Sequence, residues 1–127
     1  MMTPFKTVVI VEDEPDTAEM FAEMMRLIGF QVFKSLSGVR AIDIISDQRP
    51  TVVLLDLMMP DLSGLEVLRY LRRDPRLTDI PVIIVSAKGL PSDIKGGLDA
   101  GADCYLTKPV SFADLKESIQ KVMQPVL

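Results

Sequence analysis

Three stretches of this chain, residues 8–11 (Val-Val-Ile-Val), 52–55 (Val-Val-Leu-Leu) and 82–85 (Val-Ile-Ile-Val), contain no polar side chain at all. A strand with one face in water alternates apolar and polar residues, whereas a strand covered on both faces has no reason to. Two further short runs, residues 30–33 and 104–106, complete a set of five. Between the runs the spacing is helical: Phe21, Met25 and Ile28 share one face, and Leu65, Leu68 and Leu71/Arg72 follow a similar pattern. Strand and helix therefore alternate five times. That order predicts an α/β domain with a parallel sheet roofed on both sides by five helices.

The punctuation agrees. Pro15 suits the first turn of a helix and Gly29 its exit. Ser63 with Glu66 reads as a capping box, and Ser111 with Asp114 as a weaker one. Asp74-Pro75 predicts the end of the third helix, because a residue before proline avoids helical geometry. Gly101 predicts the end of the fourth. Gly96 and Gly97 fall inside that fourth helix, each costing about 1 kcal/mol against alanine, so it is expected to be the least stable element. Met20 and Met24, one turn apart, read as core or rim filling.

All 127 residues suit a single domain, with a core of about 5–124 and a short tail, residues 124–127, as the one linker stub. The net charge of −4 argues against direct nucleic-acid contact. With no histidine, a Ser-His-Asp triad, a Cys-His pair and a His-ligated metal are excluded. The lone Cys104 allows no internal disulfide and reads as a small, inert, partly buried residue. No apolar run reaches membrane-spanning length, and the first residues are too weakly hydrophobic for a signal peptide. The expectation is a cytoplasmic domain with no membrane contact.

The residues just beyond the apolar runs carry the chemistry. Glu12 and Asp13 come after the first, Asp56 after the third, Ser86 after the fourth, and Lys108 stands two residues after the fifth. In a parallel sheet these positions share the carboxyl edge, where open α/β sheets bind their ligands. Each residue alone would be an ordinary loop or capping residue; their joint placement is what points to a site. Three carboxylates in one crevice repel one another and call for a cation. An all-oxygen donor set selects a hard divalent ion, and Mg²⁺ suits a few carboxylates, waters and a phosphate oxygen. The formal charges then cancel, because Mg²⁺ and Lys108 balance the three acids. Such a pocket can take a phosphoryl group, with Asp56 as the nucleophile.

Four blocks make the resemblance specific: Val-Glu-Asp-Glu at 11–14, Asp-Leu-Met-Met-Pro-Asp-Leu-Ser-Gly at 56–64, Ser86-Ala87, and Tyr-Leu-Thr-Lys-Pro at 105–109. Along essentially its whole length the chain resembles a response-regulator receiver domain of bacterial two-component signalling. The resemblance implies a flavodoxin-like, doubly wound five-stranded parallel sheet of order 2-1-3-4-5. It makes Asp56 the phosphoacceptor, with Asp13, Asp56 and the Met58 backbone carbonyl on Mg²⁺ and Glu12 acting through a metal-bound water. Ser86 and Lys108 would contact the phosphoryl oxygens, Ser86 and Tyr105 would form the switch pair, and Lys108-Pro109 would be cis.

The resemblance also implies partners. A sensor histidine kinase or phosphotransfer protein would donate from a phosphohistidine. The face of the fourth helix, fifth strand and fifth helix would signal to an output domain or partner, with room for a phosphorylation-dependent dimer. Cys104 departs from the acidic residue that many receivers carry there, at the face through which winged-helix regulators pair. The chain would be a phosphoacceptor that catalyses its own phosphorylation and autodephosphorylation, not an enzyme acting on other substrates.

Other readings fit less well. A haloacid-dehalogenase-type phosphatase carries a second acid two residues after its nucleophile, where this chain has Met58. A flavodoxin-like electron carrier needs a Ser/Thr-rich phosphate loop, and Glu-Asp-Glu-Pro-Asp at 12–16 would repel one. No Gly-x-x-x-x-Gly-Lys stretch exists for a nucleotide. A degenerate receiver, used unphosphorylated as a binding module, is the remaining alternative.

Overall fold

All five apolar runs pair side by side. The computed structural model describes residues 6–123. In chain order its elements are β1 (Thr7–Val11), α1 (Pro15–Ile28), β2 (Gln31–Ser35), α2 (Gly38–Gln48), β3 (Val52–Leu55), α3 (Gly64–Arg73), β4 (Val82–Ser86), α4 (Pro91–Asp99), β5 (Cys104–Thr107) and α5 (Phe112–Val122). One parallel sheet joins the strands in the order β2-β1-β3-β4-β5. This is the flavodoxin-like, doubly wound arrangement.

Successive side chains of each strand enter opposite layers. Val9, Val11, Val53 and Leu55 pack with Ala41 and Ile45 of α2 and Val67, Leu68 and Leu71 of α3. Val8, Ile10, Val52 and Leu54 pack with Phe21 and Met25 of α1 and Leu115 and Ile119 of α5. Burying each such side chain contributes roughly 1.5–3 kcal/mol over leaving it exposed, so both faces must be roofed before the sheet is stable. The chain runs outward from β1 to β2 and then back across to β3. The carboxyl ends of β1 and β3 thus flank the point where strand order reverses.

The expected boundaries hold at Pro15, which opens α1, at Gly29, which caps it in the left-handed region with φ 115°, and at Asp74, which caps α3. Ser111 caps α5 by accepting from the Asp114 N–H. At α3 only the Ser63 half of the capping box forms among the described residues, Ser63 Oγ accepting from the Glu66 N–H at 3.3 Å. The second strand begins at Gln31 rather than Phe30, because the Phe30 N–H is taken by the Met25 carbonyl as α1 unwinds. Of the two methionines read as fillers, Met24 packs on the α1 layer while Met20 is exposed. Arg72, placed on the apolar stripe of α3, instead fastens the carbonyls of Gly101, Thr78 and Ile80 and the Asp103 carboxylate. The proposed tail, residues 124–127, and the outer limits of the 5–124 core lie outside the described residues.

Candidate functional site

The strand termini deliver the five expected residues to one edge. Glu12 and Asp13 lie directly beyond β1 and Asp56 directly beyond β3, while Ser86 ends β4 and Lys108 follows β5. Glu12 is 3% exposed, Asp56 6% and Ser86 0%, whereas Asp13 is open to solvent. One carboxylate oxygen from each of Glu12, Asp13 and Asp56 lies within 4.8 Å of the others. A hollow of about 480 Å³ lined by Lys34, Ser37, Arg40 and Asp43 includes none of these residues. The site is a rim, not an enclosed cavity.

Backbone bonds hold the rim together. The Glu12 N–H donates to the Ser35 carbonyl and the Asp56 N–H to that of Val11, both at 3.0 Å. Asp56 Oδ1 accepts from the Met58 N–H at 3.1 Å, while the Met58 side chain is exposed. The Lys108 N–H donates to the Ser86 carbonyl at 2.8 Å, and Lys108-Pro109 is cis, as expected. From there the ammonium reaches back across the sheet, 2.5 Å from Glu12 Oε1 and 3.3 Å from Asp56 Oδ2.

The electrostatics follow from that geometry. Burial pushes the Glu12 carboxyl up, against the pull of the Lys108 ammonium and the Glu14 N–H, and the Asp56 charge adds to the push. Burial works to lower Lys108, but the bond to Glu12 and the charges of Asp56 and Glu12 outweigh it and hold the ammonium above its ordinary value. Glu12 is thus a carboxylate that gains from any cation brought beside it. The residues present fit a hard divalent ion, because the clustered donors are all carboxylate oxygens.

Two features at Ser86 and Tyr105, the expected switch pair, concern the loop after β4. Ser86 Oγ accepts from the Lys88 N–H at 3.2 Å, and the Tyr105 hydroxyl donates to the Lys88 carbonyl at 2.5 Å. Tyr105 is half-buried against the layer that holds Val82 and Ile84. Burial pushes its phenol above the ordinary value.

One residue at the rim carried no expectation. Asp61, in the loop after β3, accepts from the Ser37 hydroxyl at 2.6 Å and from the Gly38 and Val39 N–H groups at 3.1 Å each. It thereby caps α2 and ties that helix to the loop carrying Asp56. The Ser37 hydroxyl and the two N–H groups hold its carboxyl well below the usual carboxylate range. A depressed folded-state value favours the charged form, so this contribution is full above the ordinary aspartate value of 3.8 and fades as pH falls below it. Wild type is therefore expected to exceed Asp61→Asn in urea midpoint at pH 7, with the gap closing on acidification below about pH 4. A gap independent of pH would show that the charge of Asp61 contributes nothing.

Comparison with known proteins agrees with this geometry. The family model described as the response regulator receiver domain matches residues 8–120. The chain is 38% identical over 119 residues to the phosphate regulon transcriptional regulatory protein PhoB of Pseudomonas aeruginosa, covering 94% of this chain and 52% of that protein. It thus spans about half the length of that relative. It is 32% identical to the polar-differentiation response regulator DivK of Brucella anthropi, covering 93% of this chain and 96% of that one. The receiver domain of sensor histidine kinase PA1611 from Pseudomonas aeruginosa, solved with a magnesium ion coordinated in its active site cleft, superimposes with a TM-score of 0.88. It is 28% identical, and the match covers 96% of this chain and all of that one. Fold, strand-end acids and sequence relatives converge, and the chain belongs to the response regulator receiver domain family.

Proposed function

We propose that this chain accepts a phosphoryl group onto Asp56 from the phosphohistidine of a sensor histidine kinase or phosphotransfer protein, in a Mg²⁺-dependent reaction. The observation that carries this reading is a nearly buried aspartate at the strand-order reversal, 3.3 Å from a lysine and clustered with two more acids. An Asp56 carboxylate oxygen attacks phosphorus, the phosphorus–nitrogen bond breaks, and the donor imidazole leaves as the neutral ring on taking up a proton. Hydrolysis of the acyl phosphate by water restores Asp56. The chain serves only its own phosphorylation and autodephosphorylation.

Asp13, Asp56 and the Met58 carbonyl would hold the metal directly and Glu12 would hold it through water. Bound there, Mg²⁺ supplies charge neutralisation to the transferring phosphoryl oxygens. Lys108 and Ser86 donate to those oxygens, since their ammonium and hydroxyl are the side-chain donors among the five rim residues. Ser86 gives up the Lys88 N–H when it turns to the phosphoryl group, and Tyr105, which already reaches the Lys88 carbonyl, is held inward, which shifts the balance of the face of α4, β5 and α5. That face signals to an output domain or partner protein and pairs with a second phosphorylated copy. The chain acts as a single cytoplasmic receiver domain over residues 1–127 and touches neither nucleic acid nor membrane itself. Among the described residues no helix is long and apolar enough to cross a bilayer.

Intact-mass spectrometry after incubation with acetyl phosphate tests the proposal. The expected result is one phosphoryl adduct that forms with Mg²⁺, fails with chelator, and maps to Asp56 after borohydride reduction. No adduct from acetyl phosphate or a cognate kinase, together with no Mg²⁺ binding, would favour the unphosphorylated binding module.

A further inference from the structure

Adjacent glycines in α4 face different surroundings. A Cβ built on Gly96 meets no heavy atom within 4 Å. One built on Gly97 lies 2.7 Å from Ile84 Cδ1 and 2.9 and 3.0 Å from Cδ2 and Cε2 of Tyr105. Gly97 is the buried residue of α4, and the Tyr105 ring occupies the space beneath it. From that position the phenol donates to the Lys88 carbonyl, and the Lys88 N–H donates to Ser86 Oγ. A continuous path of contacts thus runs from Gly97 through the ring to the loop beyond Ser86.

We propose that Gly97 is a positioning residue for Tyr105: the missing side chain at 97 makes the room in which the ring lies inward and reaches the Lys88 carbonyl. The inference rests on reading Ser86 and Tyr105 as a switch, and adds what sets the balance of that switch. Of the two neighbours a Cβ would meet, Ile84 is fully buried in β4, whereas Tyr105 is only half-buried. The ring has somewhere to go. A side chain at 97 meets Ile84 in both states but the ring only in the inward one, so it penalises the inward state more and shifts populations outward.

The test uses Tyr70→Phe as background. Because the chain has two tyrosines and no tryptophan, Tyr105 is then its only strong intrinsic fluorophore. In that background Gly97→Ala is expected to move the inward-to-outward ratio about ten-fold outward. Acrylamide quenching then rises toward that of free tyrosine, and the phenol titrates closer to its ordinary value. Gly96→Ala is expected to leave both readouts unchanged. A folded Gly97→Ala protein with wild-type quenching would overturn the proposal. Where Gly97→Ala folds poorly, a double-mutant cycle decides: its stability loss shrinks in a Tyr105→Ala background, and equal losses would overturn the idea. Acetyl phosphate labelling of the same proteins separates the two readings. A ring that responds in a wild type taking no phosphoryl group keeps the Gly97 contact and sinks the phosphoacceptor function.

Discussion

Lys108→Met is expected to cost the metal-free protein roughly 2–3 kcal/mol of unfolding free energy, and added Mg²⁺ to restore much of it. The ammonium lies 2.5 Å from Glu12 and 3.3 Å from Asp56, carboxylates only 3% and 6% exposed. Without it, these two acids and Asp13 face one another with no counter-charge. Breaking a fully buried pair from one side costs about 3–5 kcal/mol. The Lys108 side chain is 24% exposed and Asp13 opens to solvent, so screening brings the figure down. A divalent cation among the carboxylates takes over the same electrostatic role, so the variant should bind Mg²⁺ more tightly than wild type does. Phosphorylation by acetyl phosphate should nevertheless fall by about 10²-fold, the usual cost of losing one preorganised donor to a developing oxyanion.

Asp56→Asn separates charge from chemistry. It removes one like charge and leaves the Lys108–Glu12 pair, so stability should hold or rise while the adduct vanishes. Urea midpoints with and without Mg²⁺, read beside intact mass, check both variants. Equal midpoints and equal Mg²⁺ affinity in Lys108→Met and wild type would show that the lysine is not the neutralising group.

The rim was legible in the sequence because strands buried on both faces are uninterrupted apolar runs. Where such a run stops, a polar residue stands at a known edge, so Glu12, Asp13, Asp56 and Ser86 could be placed from the pattern alone. The same count places Lys108, though β5 runs one residue further than expected. The edge strand β2 was harder, because Gln31 and Lys34 interrupt it and the exit from α1 takes up Phe30. Asp61 was not legible as a cap of α2. Its partners Ser37 and Gly38 are more than twenty residues away, and the sheet order alone sets that helix beside the loop after β3. Gly97 read as a weak point in a helix for a similar reason. Only the pairing of β4 with β5 puts Ile84 and Tyr105 beneath it.

Gly64 shows the same distinction most sharply, and Gly64→Ala is expected to be the most damaging single-methyl change in the protein. A Cβ there would run into the Asp56 carbonyl oxygen and lie 2.7 Å from Leu57 Cα. Those neighbours are backbone and cannot rotate away, unlike the side chains over Gly97. The Gly64 N–H also donates to the Leu57 carbonyl at 3.1 Å, so α3 starts directly against the loop that carries Asp56. Alanine is the better helix former, yet its propensity gain of about 1 kcal/mol is smaller than the steric cost. That cost belongs at the upper end for overpacking, about 3 kcal/mol. Relief requires the loop after β3 to move, and Asp56 moves with it, away from Lys108 and the other acids. A displacement of about 1 Å is enough to slow a positioned reaction roughly 10²-fold. Circular dichroism fixes a temperature at which the variant is fully folded, and acetyl phosphate labelling there should still be slow. Labelling at the wild-type rate by a destabilised but folded Gly64→Ala protein would mean that the strain is relieved in α3 and that Gly64 does not position Asp56.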